Sequence, residues 1–177
     1  MPIDDATPMP MIIRDAERAE FPALAALQIR SWRDVYRGIM PDAYLDDEIE
    51  EDLHARWEAL RPSGDDLVLV ADQDGIRGFV TVWCRPDPYI DNLHVDPGER
   101  SNGIGCRLMQ TVAHRLGENG FGRMSLYVAA QNHRAAAFYG KLGGRFGEVE
   151  QVHQQFGGPV DAIEVVWDDL TKMADVD

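Results

Sequence analysis

A single α/β domain, with a mixed sheet carrying helices on both faces, is the fold this sequence predicts, and three observations predict it. The chain has 177 residues and 45% apolar content, the size of one domain with enough hydrophobic material for a core. Its apolar residues form short strand-like runs in some segments and recur at helical spacing in others. These segments follow one another as strand, two helices, three strands, helix, strand, helix, two strands, an order that one mixed sheet accommodates.

Residues 1–10 carry three prolines and little periodicity, so they read as a loose tail ahead of a domain spanning 11–177. Met11 to Arg14 is the first strand. Phe21, Leu24, Leu27, Trp32, Val35 and Tyr36 then share a helical face, with Pro22 suited to its first turn and Gly38 to its end. After Pro41, a second stripe of Tyr44, Leu45, Ile49, Leu53, Trp57 and Leu60 runs through many acids until Pro62-Ser63-Gly64 stops it. Leu67 to Ala71 and Gly78 to Trp83 flank the turn signal Asp74-Gly75 and should pair antiparallel. Tyr89 to Val95 is the next strand, and Ile104, Leu108, Val112 and Leu116 line a helix that starts near Gly103. Met124 to Ala129 is a strand and Asn132 to Leu142 a short helix ended by Gly143-Gly144; Arg145 to His153 and Ala162 to Trp167 close the chain as a hairpin.

Composition removes several function classes. Seventeen basic against 31 acidic side chains give a formal charge of −14, a field that repels phosphate backbones and anionic lipid. Neither a nucleic-acid nor a membrane partner is expected, and a cationic ligand is mildly favoured. Cys84 and Cys106 stand far apart, and His114, His133 and His153 share no ligand spacing with them, so the expectation is no disulfide framework and no metal. The N-terminus lacks a cationic and apolar leader, and no apolar run approaches the roughly 20 residues of a membrane span. A cytoplasmic protein with free thiols is expected. Cys106 next to the glycine loop has no His and acid pattern around it and reads as packing.

The segment Arg100-Ser101-Asn102-Gly103-Ile104-Gly105 lies between a predicted strand and a predicted helix. Backbone N–H groups at such a junction, together with the helix dipole, can hold a pyrophosphate, and glycine at 103 and 105 would let the backbone approach it. No Gly-Lys-Ser/Thr follows, so it is not a Walker loop, and it does not match the dinucleotide fingerprint G-x-G-x-x-G. Alone, the G-x-G is weak, and a tight strand-to-helix turn explains it more simply.

With its context, the sequence resembles the GNAT superfamily of N-acetyltransferases. Arg100, Gly103 and Gly105 match the R/Q-x-x-G-x-G/A signature, preceded by the strand Ile90 to Pro97. Asn132, Ala135, Ala136, Phe138, Tyr139, Lys141, Leu142 and Gly143 match the later element, an Asn followed by an Ala-rich helix ending Phe-Tyr-x-Lys-x-Gly. Ser31 to Gly38, with Pro41 and Leu45, also looks like the first helical pair of many bacterial members. Gly144 stands where the family usually has a large apolar residue.

The resemblance implies acetyl-CoA as cosubstrate, no metal, and direct transfer to a primary amine in a ternary complex. It also implies that the strand matching Tyr89 to Val95 splays from the one matching Met124 to Ala129, with the pantetheine arm in the wedge. Leu93, His94 and Val95 would meet that arm, chiefly through backbone groups, and Arg100, Ser101, Asn102, Gly103, Ile104 and Gly105 the pyrophosphate. Asn132 matches the side chain that bonds the pantetheine or the helix start. Tyr139 matches the tyrosine that gives a proton to the departing thiolate; its structural alternative is an aromatic on an apolar helix face. Asp91 matches where many members place a base, and working through water it would strip the amine's proton; a solvent-facing acid is the alternative. His94, by strand alternation, is expected on the opposite face from Asp91.

The acceptor stays open at this stage. Asp42, Asp46, Asp47, Glu48, Glu50, Glu51 and Asp52 could rim an acceptor cleft for a cationic small-molecule or peptide amine, or simply face solvent. Trp32, Tyr36 and Tyr44 could line that cleft or belong to the core. Two other functions fit the same motifs: a non-catalytic acyl-CoA sensor, and a protein N-terminal or lysine acetyltransferase. Monomer and homodimer both remain open.

Overall fold

The computed structural model describes residues 9–153 and 158–175. The elements are β1 (Ile12–Asp15), α1 (Phe21–Val35), α2 (Ile49–Ala59), β2 (Leu67–Asp72), β3 (Ile76–Cys84), β4 (Pro88–Val95), α3 (Ile104–Glu118), β5 (Met124–Ala129), α4 (His133–Lys141), β6 (Arg145–His153) and β7 (Pro159–Trp167). This is the predicted order. The strands form one seven-stranded mixed sheet ordered β1-β2-β3-β4-β5-β7-β6. The predicted tail falls mostly on residues 1–8, outside the described residues.

Each helix forms because its apolar stripe has a place to go. In α1, Pro22 occupies the first turn and Leu24, Leu27, Ile29 and Trp32 are buried; Gly38, at φ +79°, takes the left-handed conformation just beyond the helix. The second helical region differs from expectation: Tyr44–Glu48 is a wide π-type turn before α2 begins. That turn lets buried Tyr44 and Leu45 face the same core as Ile49 and Leu53, at the cost of helical regularity. In α3, Ile104, Leu108, Met109, Val112 and Leu116 are at most 2% exposed, each side chain contributing about 1.5–3 kcal/mol of burial.

One core packs α3, α4 and the C-terminal turn Leu170–Asp175 against one sheet face; two others lie under α1 and α2 on the opposite face. The two layers therefore flank the sheet's centre. Gly144 has its own explanation. A Cβ there would lie 2.5 Å from Val165 Cγ1 and 3.0 Å from the Tyr139 carbonyl oxygen. Trp167 and Val165 fill that space, and the Trp167 indole N–H donates to the Leu142 carbonyl at 2.9 Å. Among the described residues, no helix is long and apolar enough to cross a membrane.

Candidate active site

The sheet is broken where the site lies. β4 and β5 run parallel but share one paired position, Tyr89 with Ser125, and then diverge. Beyond β4, Asp96 N–H donates to the Arg77 carbonyl on the β3 side at 2.8 Å. Counting back at the two-residue period of a strand, the backbone groups of Val95 and Leu93 point the other way, into the gap toward β5. A cavity of about 890 Å³ occupies the wedge, walled by α1, β4, β5, α4 and the loop before α3.

A β-bulge shapes β4. Thr81 pairs with Asn92 and Val82 with Ile90, so Asp91 is the extra residue. The bulge resets the alternation, and this corrects the expected opposition of Asp91 and His94. The Asp91 carboxylate reaches Arg56 on α2, while the His94 ring reaches Ser31 and Trp32 on α1, so both meet the α1/α2 layer. Asp91 Oδ2 accepts from Arg56 and from Asn92 Nδ2 at 3.1 Å. Both side chains of the ion pair remain partly open to the cavity, 19% exposed for Asp91 and 23% for Arg56.

His94 is held differently. The Trp32 indole N–H donates to Nε2 at 3.3 Å, which makes Nε2 the bare nitrogen, and Nδ1–H donates to Ser31 Oγ at 2.9 Å. Burial, and secondarily the nearby Arg100 cation, push the imidazole pKa down to about 3, so the ring is neutral. Both nitrogens are engaged by α1, and the ring has no lone pair left for a substrate proton.

The loop before α3 is built from backbone strain rather than long side chains. Ser101 and Gly103 both have positive φ, +75° and +73°, and Gly103 is the left-handed residue ahead of Ile104. Gly105 has another reason for its missing side chain: a Cβ there would sit 3.1 Å from the Phe138 ring, so this glycine lets α3 close on α4. Arg100, Ser101, Gly103, Ile104 and Gly105 line the cavity; Asn102 does not, and its amide donates to Glu99 at 3.1 Å. The Arg100 guanidinium is paired with Asp34 of α1.

Tyr139 lines the same cavity from α4 and is 9% exposed. Its ring is fixed edge-on by Phe138 at 5.3 Å and Trp167 at 5.8 Å. Burial, reinforced by the neighbouring Tyr36 and Tyr89, drives its pKa far up, so the phenol keeps its proton at neutral pH. Asn132 caps the helix that carries it, Oδ1 accepting from Ala135 N–H at 3.1 Å.

Two of these features, a strand pair that splays and a glycine turn opening the next helix, are those the sequence resemblance implied; the bulge is not. Residues 29–144 match the Acetyltransferase (GNAT) family. The chain belongs to this family. A probable N-acetyltransferase of Mycobacterium tuberculosis, Rv2775, is 29% identical over 137 residues, 73% of this chain and 76% of that protein. Two solved structures share the fold. The PaiA N-acetyltransferase of Thermoplasma acidophilum, in complex with coenzyme A, superposes with a TM-score of 0.71 at 23% identity over 88% of this chain and 98% of its own. The putative acetyltransferase yncA of Salmonella typhimurium, with acetyl-CoA, gives 0.63 at 19% identity over 94% and 98%.

Two alternatives left open on the acceptor side are decided. The acids from Asp42 to Asp52 do not line the cavity; Asp42 and Asp46 pair with Arg37 and Glu50 with Arg33. Tyr44 belongs to the core beneath α2, whereas Trp32 and Tyr36 do line the cavity. Sequence reasoning missed Arg56, Tyr89 and Tyr127. Tyr89 precedes Asp91 by two residues on β4, but only the fold brings Arg56 of α2 to the Asp91 carboxylate and Tyr127 of β5 to the Tyr89 ring, across separations that carry no sequence pattern. Among the described residues no group of three His, Cys, Asp or Glu side chains is placed to hold a metal.

Proposed function

We propose that this family member transfers an acetyl group from acetyl-CoA directly to a primary amine in a ternary complex. The observation that supports it best is the convergence on one wedge of the free Leu93 and Val95 backbone edge, the Asp91 carboxylate and the Tyr139 phenol. The wedge and the left-handed Gly103 turn fit a long arm ending in a pyrophosphate: Leu93 and Val95 would bond the pantetheine, and N–H groups at the start of α3 the phosphates. Bound there, acetyl-CoA supplies an activated thioester.

The chain's own residues do the rest. An N–H in the gap polarises the carbonyl that is attacked. Asp91 takes the amine's proton through a water, using Oδ1, since Arg56 and Asn92 both bind Oδ2. Tyr139, kept protonated by burial, donates to the departing sulfur. The acceptor is a small-molecule or peptide amine. Asp91 is already paired with Arg56, and the acid-rich segment lies outside the cavity. These two facts weaken the case for a polycation.

The test is thermal unfolding with and without acetyl-CoA, followed by thiol release over a panel of cationic, neutral and zwitterionic amines. Acetyl-CoA at about a hundred times its dissociation constant should add roughly 2.7 kcal/mol. Thiol release with one amine names the reaction, and no stabilisation defeats the reading. In the same binding assay Gly103→Val should lower acetyl-CoA affinity about tenfold or more while the fold persists. A β-branched residue at φ +73° costs about 1–2 kcal/mol, and the loop relieves it by turning its N–H groups away. Calorimetric affinity within twofold of wild type would place the phosphates elsewhere.

A further inference from the structure

A chain of buried polar side chains runs through the core and ends at Asp91. The Trp57 indole N–H donates to Gln28 Oε1 at 2.7 Å, and Gln28 Nε2 donates to Asn92 Oδ1 at 2.8 Å. Asn92 Nδ2 then donates to Thr81 Oγ1 at 3.0 Å and to Asp91 Oδ2 at 3.1 Å. Each bond dictates the next. An indole can only donate, so Gln28 must present its oxygen to Trp57 and its nitrogen to Asn92; Asn92 is left with only N–H to offer Asp91. Trp57, Gln28, Thr81 and Asn92 are 2%, 0%, 0% and 7% exposed, so water does not compete and no amide can flip without orphaning a buried group.

We propose that Asn92 is a positioning residue for the site: through its oriented amide the Trp57–Gln28–Asn92–Thr81 network clamps the bulge of β4 and fixes the Asp91 carboxylate toward the acceptor. The inference rests on the reading of Asp91 as the base. The bulge alone would give Asp91 extra freedom, because its backbone is the unpaired position between the Ile90 and Asn92 rungs. The clamp removes that freedom from inside the core, and Arg56 removes it from the cavity side. Other polar groups around Asp91 are Tyr89 on its own strand, held neutral by a pKa pushed up to about 12, and Tyr127 of β5, whose ring is 6.4 Å from that of Tyr89. His153 of β6 lines the same cavity.

The direct test is a carbon-13 titration of side-chain carboxyls in the intact protein, with the Asp91 signal assigned by its loss in Asp91→Asn. Asn92→Asp keeps the bond from Gln28, turns the Thr81 hydroxyl from acceptor to donor, and replaces the donor facing Asp91 with a second carboxylate, so the Asp91 midpoint should rise by about one pH unit or more. With an amine identified by the panel, kcat should fall about tenfold or more, with the acetyl-CoA KM within about twofold. Leu116→Ala, a core cut in the opposite layer, should lower stability and leave the midpoint where it is. If Asn92→Asp does not fold, Asn92→Ala carries the test, with a smaller rise in the same direction. An unmoved midpoint in a folded Asn92 variant overturns the proposal. Undiminished turnover by Asp91→Asn would defeat the base reading alone, since the titration measures the clamp independently.

Discussion

Replacing Tyr139 by phenylalanine should lower kcat about a hundredfold or more while leaving acetyl-CoA affinity and the melting temperature close to wild type. The magnitude is that of removing a positioned general acid. Selectivity for kcat follows from how the residue is held. The ring packs edge-on against Phe138 and Trp167, contacts that a phenylalanine keeps, so neither α4 nor the wedge should move. What disappears is one O–H, in a site where burial together with Tyr36 and Tyr89 opposes ionisation. Single-turnover thiol release, read beside calorimetric acetyl-CoA binding, separates the possibilities. A loss confined to binding would make Tyr139 a wall of the pocket, and full activity would remove it from the chemistry.

Much of this arrangement is legible in the sequence because local patterns dictate it. The strand Met124 to Ala129 and the helix from Asn132 are bounded by residues with local mechanisms, an Asn cap at one end and a left-handed glycine at the other. Gly103 likewise reports a backbone conformation that a side chain would resist. Gly105 was legible as a required glycine but not for its reason: the obstacle is the Phe138 ring, 33 residues away, and only the packing of α3 on α4 reveals it. The bulge at Asp91 is a pairing event between two strands, so alternation counted along β4 alone puts Asp91 and His94 on opposite faces. The partners that define the site electrostatically, Arg56 for Asp91 and Asp34 for Arg100, sit on α2 and α1 and follow from tertiary packing. The π-type turn before α2 is illegible for a similar reason. The apolar spacing from Tyr44 to Leu53 suits a regular helix, and the core selects the wider turn.

Stability should fall steeply as the pH drops below about 6.5, and His94 should be the main cause. The native ring is neutral with a pKa near 3, whereas an unfolded histidine titrates near 6.5. A depressed native pKa means the unfolded chain takes up a proton that the folded chain refuses. The contribution is therefore complete above the unfolded value and is lost as the pH falls toward the native one, at up to about 1.4 kcal/mol per pH unit. From pH 6.5 to 5 that is roughly 2 kcal/mol, a large share of a domain's net stability. The window isolates this ring from the acids whose native values are lowered. Glu20 and Asp72, held down mainly by Arg14, stay ionised in both states until the pH approaches the ordinary carboxylate range. Urea unfolding at pH 7, 6 and 5 should therefore show a falling midpoint in the wild type and a much flatter one in His94→Gln, which can still accept from the Trp32 indole. At pH 7 the variant should be the less stable protein, because the Ser31 and Phe79 contacts of the ring are disturbed. Equal slopes would mean that another group takes up the proton. Convergence of the two proteins toward pH 5 would establish that a neutral His94 is what ties α1 to the open strand.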